Sequence, residues 1–340
     1  MFRRLSVCAH SPKPLGRTIA TRPGDASFPT KAQVDKKVPL LKRMALPVWE
    51  HIRSEHPEIA LRLEYARRFR RLPRWAVPVT FNEKVRLKMI YDRRPLLRTF
   101  ADKWSVRSYV AERLGGTEHL PRILARFDTA ADIEQADTPA PFVMKASHGS
   151  GWVRIVRKTT PETPRELARI AAQWLQNDYS RACRELCYRG LTRYVLFEEF
   201  LGGDDGQVPQ DFKFFCFHGV PRFVQIDEGR DTRHRQSFFD LALQKLPVRY
   251  MAENIQGTID KPPHWDLMLD IATRLSRGTD FLRVDLYDLP DRVVFGELTN
   301  YPNTGDVPFD PPEYDQYFGS FWNYSRDYYR RPAGTTHPSS

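Results

Sequence analysis

The sequence predicts a mixed α/β protein of the α+β type, in which antiparallel hairpins rather than repeated βαβ units supply the sheets. Short apolar runs alternate with segments of helical periodicity along most of the chain. The runs 211–218 and 221–227 flank Gly219, and the runs 280–288 and 292–298 flank a short turn with Pro and Asp. Connections of this length and composition are typical of hairpins. A third observation is the strongly basic region that precedes the alternating part.

The chain divides by composition into three parts. Residues 1–38 are rich in Pro, Ser, Thr and Lys and lack periodicity, so we expect a mostly disordered tail. Residues 39–100 are predicted to form a basic helical region, in which Thr80 or Asn82 caps the second helix. Residues 101–330 are predicted to form the main domain. The predicted helices are 39–72 with an interruption near Pro57, 82–91, 102–114, 163–177, 264–277 and 312–328, and the predicted strands are 121–127, 141–146, 152–157, 193–200, 211–218, 221–227, 280–288 and 292–298.

Composition excludes several classes of protein. Hydrophobic residues make up 41% of the 340 residues and charged residues 28%, which is the balance of a globular chain. No apolar stretch approaches the roughly 18 residues of a membrane span. Four cysteines are too few for a disulfide scaffold. The basic start lacks the apolar segment of a secretion signal, so we expect a cytoplasmic protein.

The net charge of +11 arises entirely in the N-terminal region. Residues 1–100 contain 23 Lys and Arg against 8 Asp and Glu, whereas residues 101–340 contain 30 against 34. An anionic polymer, an anionic membrane surface and a nucleic acid all suit such a region, and so does a solvated face without a partner. The lack of a zinc-finger spacing or an aromatic RNA-binding motif disfavours nucleic acid. The densest series is Arg67, Arg68, Arg70, Arg71 and Arg74, followed by Arg86, Lys88, Arg93, Arg94 and Arg98.

A lysine and a glycine loop follow one another at the end of the apolar run 141–146. Lys145 comes just before Ser147-His148-Gly149-Ser150-Gly151. Glycine lets backbone N–H groups approach a phosphate chain closely, and the ammonium adds positive charge. The lysine precedes the glycines, so the pattern is not a Walker A motif. A glycine-rich hairpin with an edge lysine is the alternative interpretation.

Two carboxylates lie in the apolar strands of the last hairpin. Adjacent antiparallel strands would bring Asp285 and Glu297 to neighbouring positions. Buried carboxylates cost stability unless positive charge lies between them. Mg²⁺ fits, since it is commonly held by one or two carboxylates together with substrate phosphates. Pairing with an arginine such as Arg283 is the alternative.

Two further patterns accompany these. Glu198, Phe200 and Leu201 end the strand 193–200, where backbone groups can meet an adenine edge. Lys213 shares one face of its strand with Asp211, so it can either reach a phosphate or pair with that carboxylate.

The order of these pieces resembles the ATP-grasp superfamily, and the strings themselves resemble its TupA-like branch, named for teichuronopeptide biosynthesis. The resemblance covers about residues 80–325 and implies an ATP-grasp fold, in which two α/β subdomains grip ATP behind a preceding basic segment. The matching strings are FNEKVRLKMIYDRRPL, ADKWSVRSYV, FVMKASHGSG, DFKFFCFHG, FLRVDLYDL and FGELTNYP.

The resemblance also implies roles for particular residues. Many ligases of the superfamily have Asn two residues after the second metal glutamate, and this chain has Thr299 there. By resemblance, Lys103 and Lys145 bind phosphates, Ser147, His148, Gly149, Ser150 and Gly151 form the loop over the triphosphate, Glu198, Phe200 and Leu201 form the adenine hinge, Asp285 and Glu297 with Thr299 hold Mg²⁺, Arg283 stabilises the transition state, and Lys213 faces phosphate or substrate.

The implied activity is ADP-forming ligation of a carboxylate to an amine through an acyl phosphate. The family name implies cell-surface polysaccharide or acidic polypeptide biosynthesis, with an anionic glycan or acidic peptide as the possible substrate. Two alternatives remain open. One is an ATP-grasp kinase that phosphorylates a sugar or hydroxyl acceptor, and the other is a non-catalytic ATP-binding scaffold of a glycan-assembly complex.

Overall fold

The fold is described from a computed structural model over residues 48–49, 51–52, 55–180, 185–203, 207–230 and 232–330. The described residues form two compact units, with the boundary between Pro73 and Arg74. The tail predicted for residues 1–38 lies outside the described residues. No helix in the described ranges has the length and apolar content needed to span a bilayer.

The first unit contains helix α1, Pro57–Phe69. Proline lies at the first helical turn, where its missing N–H costs nothing, so Pro57 begins this helix. Described residues before it, up to Glu55, are also helical and His56 is not, which confirms the predicted interruption near Pro57. Tyr65 and Phe69 stack with ring centroids 4.2 Å apart. Arg71 lies over the Tyr65 ring and donates a 2.5 Å hydrogen bond to its hydroxyl. These contacts fix the C-terminal end of the helix.

The second unit begins with helix α2, Phe81–Tyr91, which starts at a capping box. The Thr80 side chain accepts from the Glu83 N–H, and the Glu83 carboxylate accepts from the Thr80 N–H. This confirms Thr80, and not Asn82, as the capping residue. The helix is buried along most of its length, because it lies inside the unit and not on its surface.

Burial of α2 removes part of the basic series from the surface. Arg86 is 1% exposed and pairs with Asp306, and Lys88 is fully buried. Lys84 donates to the carbonyl groups of Gly319 and Trp322. The basic charge of this segment therefore holds the fold together, and Arg86 and Lys88 cannot contribute to a surface for an anionic partner.

Two antiparallel sheets follow. The remaining helices are α3 (Leu96–Ala101), α4 (Ser105–Leu114), α5 (Ala130–Glu134), α6 (Pro164–Gln176), α7 (Trp265–Ser276), α8 (Glu313–Ser320) and α9 (Arg326–Arg330), and the strands are β1 (Ile123–Phe127), β2 (Phe142–Ala146), β3 (Val153–Val156), β4 (Val195–Glu199), β5 (Asp211–Phe217), β6 (Val220–Glu228), β7 (Arg235–Phe239), β8 (Phe281–Asp288) and β9 (Val293–Thr299). The first sheet has the strand order β1-β4-β2-β3 and is covered by helices α5 and α6. The second sheet has the order β7-β6-β5-β8-β9.

The two predicted hairpins of the second sheet are confirmed as β5–β6 and β8–β9. The helix predicted over 102–114 begins later, at Ser105. Asp102 lies before its first turn, where the carboxylate accepts hydrogen bonds from the Trp104 N–H and the Ser105 hydroxyl. The helix predicted over 312–328 is divided into α8 and α9 by non-helical residues 321–325. Strand β7 and the short helices α3 and α5 were not predicted.

Strand β5 is buried on both faces, and the two faces differ. Phe212, Phe214 and Cys216 belong to an apolar core that includes α7. Phe215 and Phe217 lie on the other face, in an aromatic core with residues of α2 and α8. Since side chains alternate along a strand, Asp211 and Lys213 lie on this second face too. The same face is therefore aromatic at one end and charged at the other.

The aromatic end is closed by a buried ion cluster around Asp280, which is 1% exposed. Its Oδ1 accepts from Lys88 Nζ and, at 3.3 Å, from Arg94 Nη2. Its Oδ2 accepts from Trp322 Nε1 at 3.1 Å and from the Tyr329 hydroxyl at 2.7 Å. One carboxylate thus joins α2, the start of β8 and the C-terminal helices.

Replacement of Asp280 by Asn should lower the free energy of unfolding by about 3 kcal/mol or more, since it leaves the buried Lys88 ammonium and Arg94 with one carboxylate, Asp92, between them. Urea unfolding at pH 7 measures this. Asp270→Asn is the matched control, because Asp270 forms an exposed i,i+4 pair with Arg274 worth no more than about 0.5 kcal/mol. Equal stability of the two variants would contradict the role given to Asp280.

The pH dependence follows from the same contacts. Burial alone would raise the pKa of Asp280, but Lys88 and Arg94 outweigh it and hold the pKa below its ordinary value. The cluster therefore stabilises the fold fully above the unfolded pKa of about 3.9, and this stabilisation is lost as pH falls through the lower folded pKa. Asp280→Asn should lack this acid-dependent loss in urea unfolding between pH 5 and 2.

Candidate active site

A cleft within the second unit has one wall from each sheet. Lys103, Lys145 and Glu198 line the wall on the side of the first sheet. Phe295 and Glu297, from β9, line the wall on the side of the second sheet. The structure thus brings together four of the residues that the sequence singles out, from segments almost 200 positions apart.

Lys145 and Glu198 form an ion pair on the first wall. Val143 lies directly opposite Glu198 in the β2–β4 ladder, so Lys145 is the diagonal neighbour on the same face. The Lys145 Nζ lies 2.5 Å from Glu198 Oε2. The Glu198 side chain therefore orients this lysine, and any contact with an adenine edge at position 198 must come from its backbone.

Lys103 is fastened to the glycine loop at two points. Its N–H donates to the Ser147 carbonyl at 3.0 Å, and its Nζ donates to the Gly149 carbonyl. Burial and repulsion by Lys145 lower the pKa of Lys103, although Glu297 attracts its charge. Two close ammonium groups with one carboxylate leave this wall short of negative charge, which favours an anion there.

Two side chains of the glycine loop, Ser147 and His148, contact the protein and not the cleft. Ser147 accepts from the Tyr194 N–H at 3.0 Å, and His148 Nε2 meets the Trp174 carbonyl at 2.9 Å. His148 is 3% exposed and packs edge-on against Trp152. Ser147 and His148 thus anchor the loop, and only its tip at Ser150 and Gly151 is exposed.

The residues that end β4 lie beside a second recess. Phe200 and Leu201 line it together with Asp288 and Arg292 from the β8–β9 hairpin. Arg292 donates to Glu199 at 2.7 Å, and this ion pair joins the end of β4 to the hairpin. Phe200 and Leu201 are thus placed where the two sheets meet.

The carboxylates of the second wall lie side by side. Asp285 and Glu297 are cross-strand partners in the β8–β9 ladder, as the spacing predicts. Arg283 donates to both oxygens of Asp285 at 2.7 Å and to the Thr299 hydroxyl at 2.9 Å. Burial would raise the pKa of Asp285, but Arg283 and Lys213 hold it below its ordinary value. Asp285 therefore forms the ion pair with Arg283 that the sequence left open as the alternative to metal binding.

Glu297 differs from its partner. In the part of the chain that the structure describes, its carboxylate makes no hydrogen bond and no ion pair. A carboxylate that faces a cleft without a hydrogen-bonding partner suits a hard cation. The described residues include no group of three or more His, Cys, Asp or Glu side chains that could hold a metal ion. Glu297 and Asp285 thus fit Mg²⁺ only where phosphate or water completes the coordination.

Lys213 lies between carboxylates on neighbouring strands. It donates to Asp211 and, at 3.0 Å, to Asp285, and it lies 3.9 Å from Asp227. Arg230 reaches the same Asp211 oxygen at 2.7 Å. The sequence argument included Lys213 and mentioned Asp211 only as its partner. It missed Asp227 and Arg230, although the polar positions 225 and 227 in the apolar strand β6 give a weak signal.

Glu185 is a further carboxylate that sequence reasoning missed. It precedes a 3₁₀ turn, Leu186–Tyr188, whose Cys187 and Tyr188 are buried. Burial and then Glu297 raise the pKa of Glu185 to about 8, against the attraction of Lys103. A single acidic residue in an irregular segment carries no pattern, so nothing in the sequence could have identified it.

Comparisons with known proteins find one matching family and several solved structures of low identity. The TupA-like ATP-grasp family matches residues 83–322. The ATP-grasp ligase PsnB in complex with a minimal precursor is 13% identical, covering 61% of this chain and 55% of that one, with a TM-score of 0.36. The L-amino acid ligase from Bacillus licheniformis is 16% identical over 76% and 55%, with a TM-score of 0.37. The D-alanine–D-alanine ligase from Bacillus anthracis is 15% identical over 61% and 58%, with a TM-score of 0.31.

This chain therefore spans less than two thirds of each of these solved structures. No curated protein matches the sequence. The family match extends from helix α2 to the end of helix α8 and includes both walls of the cleft. The ATP-grasp fold expected from the sequence is confirmed, and the chain belongs to the TupA-like ATP-grasp family.

Proposed function

We propose that this protein is an ADP-forming carboxylate–amine ligase that acts through an acyl phosphate. The observation that carries the proposal is one cleft with opposite charge on its two walls. Lys103 and Lys145 lie on one side and Glu297 lies on the other, with Asp285 as the cross-strand neighbour of Glu297. A nucleotide triphosphate with its Mg²⁺ needs both kinds of group at once.

The residues of the first wall suit the phosphates of ATP. Lys145 is oriented by Glu198, and Lys103 is oriented by the Gly149 carbonyl. An ammonium that is already held in place loses little freedom when it binds a phosphate. The loop tip at residues 150–151 lies beside this wall, where it can cover the phosphates and keep water from the reaction.

The second wall suits the reacting end of the nucleotide. Glu297, and beside it Asp285, would hold Mg²⁺, which neutralises charge on the phosphate oxygens. Arg283 is fixed by Asp285 and Thr299, so its charge stays at one place near the transferred phosphoryl group. Thr299 replaces the Asn of many ligases, and its hydroxyl positions Arg283 in this fold.

The proposed reaction has two steps. A substrate carboxylate oxygen attacks the γ-phosphorus of ATP, the bond to the β-phosphate oxygen breaks, and ADP leaves. The amine nitrogen of the second substrate then attacks the acyl carbon, the carbon–oxygen bond to phosphate breaks, and the amine loses a proton. Position and charge neutralisation carry most of the catalysis of phosphoryl transfer, which matches a site built from fixed cations.

We further propose that the reaction belongs to cell-surface polysaccharide or acidic polypeptide biosynthesis in the cytoplasm. The support is the basic composition of the N-terminal region together with the family's name. Arg67, Arg68 and Arg70, at the end of α1, are exposed. An exposed cluster of positive charge attracts an anionic glycan or an acidic peptide at low ionic strength.

Glu297→Gln should lower ADP formation about 100-fold, the effect of losing about 2.7 kcal/mol of transition-state stabilisation. It should also weaken binding of a non-hydrolysable ATP analogue in the presence of Mg²⁺ by calorimetry. Glu313→Gln is the matched control, because Glu313 is exposed at the start of α8. Unchanged turnover and binding in Glu297→Gln would exclude the metal role.

The products of the wild-type reaction separate the alternatives. Amino acids and uronic-acid glycans are added in pairs, and ADP, free phosphate and phosphorylated acceptor are measured. ADP and phosphate that appear only with a carboxylate and an amine together support the ligase. ADP with a phosphorylated acceptor and no free phosphate indicates a kinase, and nucleotide binding without turnover indicates the scaffold.

Replacement of Arg67, Arg68 and Arg70 together by Gln should weaken binding to polyglucuronate or polyglutamate about tenfold or more at low salt. Three exposed ion contacts contribute roughly 0.5–1 kcal/mol each, and Gln preserves helix propensity. Arg71 is kept because it stabilises the end of α1 through Tyr65. Fluorescence anisotropy at two salt concentrations measures the effect, and an unchanged affinity for both polymers would refute it.

A further inference from the structure

A row of charged side chains continues along the second sheet beyond the cleft carboxylates. Asp211 on β5 lies directly opposite Asp227 on β6, and both are at least 95% buried. Two like charges in directly opposed positions destabilise a sheet. Lys213 and Arg230 offset this repulsion. Burial of these two carboxylates costs stability, and the nucleotide chemistry described above does not use them.

Arg230 is held by one edge of its guanidinium group. Its Nη1 donates to Asp211 Oδ2 at 2.7 Å, and its side chain is 48% exposed. Within the described residues, its Nε and Nη2 groups make no hydrogen bond. A guanidinium group with one edge fixed and the other open can bind a carboxylate through two parallel hydrogen bonds.

The neighbouring groups also have unused hydrogen-bonding capacity. His234 Nε2 is buried 3.6 Å from Asp227 Oδ2 and has no hydrogen-bond partner among the described residues. Asp211 is only 1% exposed, and its Oδ1 atom also has no hydrogen-bond partner among the described residues. Buried polar atoms without partners are rare in folded proteins. His234 Nε2 can donate to a ligand carboxylate, whereas Asp211 Oδ1 only accepts and would need a donor such as the ammonium group of an amino acid or the hydroxyl group of a sugar acid.

The position of Arg230 points to a substrate and not to the nucleotide. It follows β6, and the strand order places β5 and β8 between β6 and the Glu297 strand β9. The Arg230 side chain nevertheless reaches Asp211 on β5, and the same Asp211 oxygen accepts from Lys213, which also donates to Asp285 on β8. The phosphate-binding lysines belong to the other wall. A group on the open edge of Arg230 therefore lies beside the carboxylates of the second wall and away from the lysines that bind phosphate, where a co-substrate can extend.

We propose that Arg230, oriented by Asp211 and flanked by His234, binds a carboxylate of a co-substrate that the reaction does not consume. This inference rests on the ligase function proposed above and narrows its substrates. At least one co-substrate then carries a carboxylate beyond the one that is activated, as an amino acid acceptor or a dicarboxylic or uronic-acid compound does.

Calorimetry on the full chain with Mg²⁺ and a non-hydrolysable ATP analogue tests the proposal. The probes are glutarate, L-glutamate and D-glucuronate, and D-glucose is the neutral counterpart of the last. Wild type should bind at least one probe more tightly than D-glucose. Arg230→Gln should weaken that binding roughly 10- to 100-fold, the fold-change expected for loss of a charge-assisted pair.

Arg233→Gln is the matched control on the same loop. Arg233 is 72% exposed and pairs with Glu253, so its loss should change probe binding less than twofold. Arg230→Lys keeps the charge beside Asp211 but not the planar fork, so binding should be intermediate. The double variant Arg230→Gln/Asp211→Asn removes the buried carboxylate that Arg230→Gln leaves unpaired. It should regain melting temperature without regaining probe binding, which separates recognition from folding.

The outcomes distinguish this inference from the function on which it rests. If the nucleotide binds and no probe binds better than D-glucose, the Arg230 subsite is wrong and the ATP site stands. If Arg230→Gln weakens nucleotide binding more than probe binding, Arg230 serves a phosphate and the subsite is also wrong. If wild type does not bind the nucleotide, the proposed function itself fails.

Discussion

The constraint on which this structure depends is the burial of opposite charges on one face of the second sheet. Lys213 is 5% exposed and lies among Asp211, Asp227 and Asp285. No member of this set could be buried alone, because an unpaired ion in an apolar interior costs several kcal/mol. The strands β5, β6 and β8 are therefore compatible only in the register that brings these groups together.

The aromatic half of the same face explains how the charged half is kept in place. Phe215 and Phe223 stack across β5 and β6 with centroids 4.7 Å apart, and Phe223 stacks on Phe318 of α8 at 4.1 Å. Phe281 stacks on Trp322 at 4.8 Å, next to the Asp280 cluster. Close packing of rings on one half of the face limits sliding between strands. A slip of one residue would move Lys213 and Asp285 to the apolar face.

The sequence predicted those parts of the site that depend on strand spacing. The separation of Asp285 and Glu297 across a short turn was enough to predict cross-strand partners. Side-chain chemistry limited the helix cap to Thr80 or Asn82, and the fold decides for Thr80. The pairing of Arg230 with Asp211 depends on a loop conformation that has no periodicity. The same is true of Glu185, in an irregular segment. The roles of Lys88 and His148 depend on packing, because the sequence alone does not distinguish a buried lysine or an anchoring histidine from an exposed one.

The balance of charge across the cleft determines which way a nucleotide can lie in it. On the second wall, Arg283, Lys213 and Arg230 are matched by Asp285, Asp211 and Asp227, so Glu297 remains as the unbalanced carboxylate. On the first wall, Glu198 balances one of the three cations Lys103, Arg107 and Lys145, and two positive charges remain. A triphosphate turned toward the first wall and its Mg²⁺ turned toward Glu297 would satisfy both excesses at once. The reverse orientation would place phosphate against a carboxylate and the cation against lysines. The charges of the two walls therefore favour a nucleotide whose phosphates face the lysines and whose Mg²⁺ faces Glu297, which is the arrangement that the proposed ligase requires.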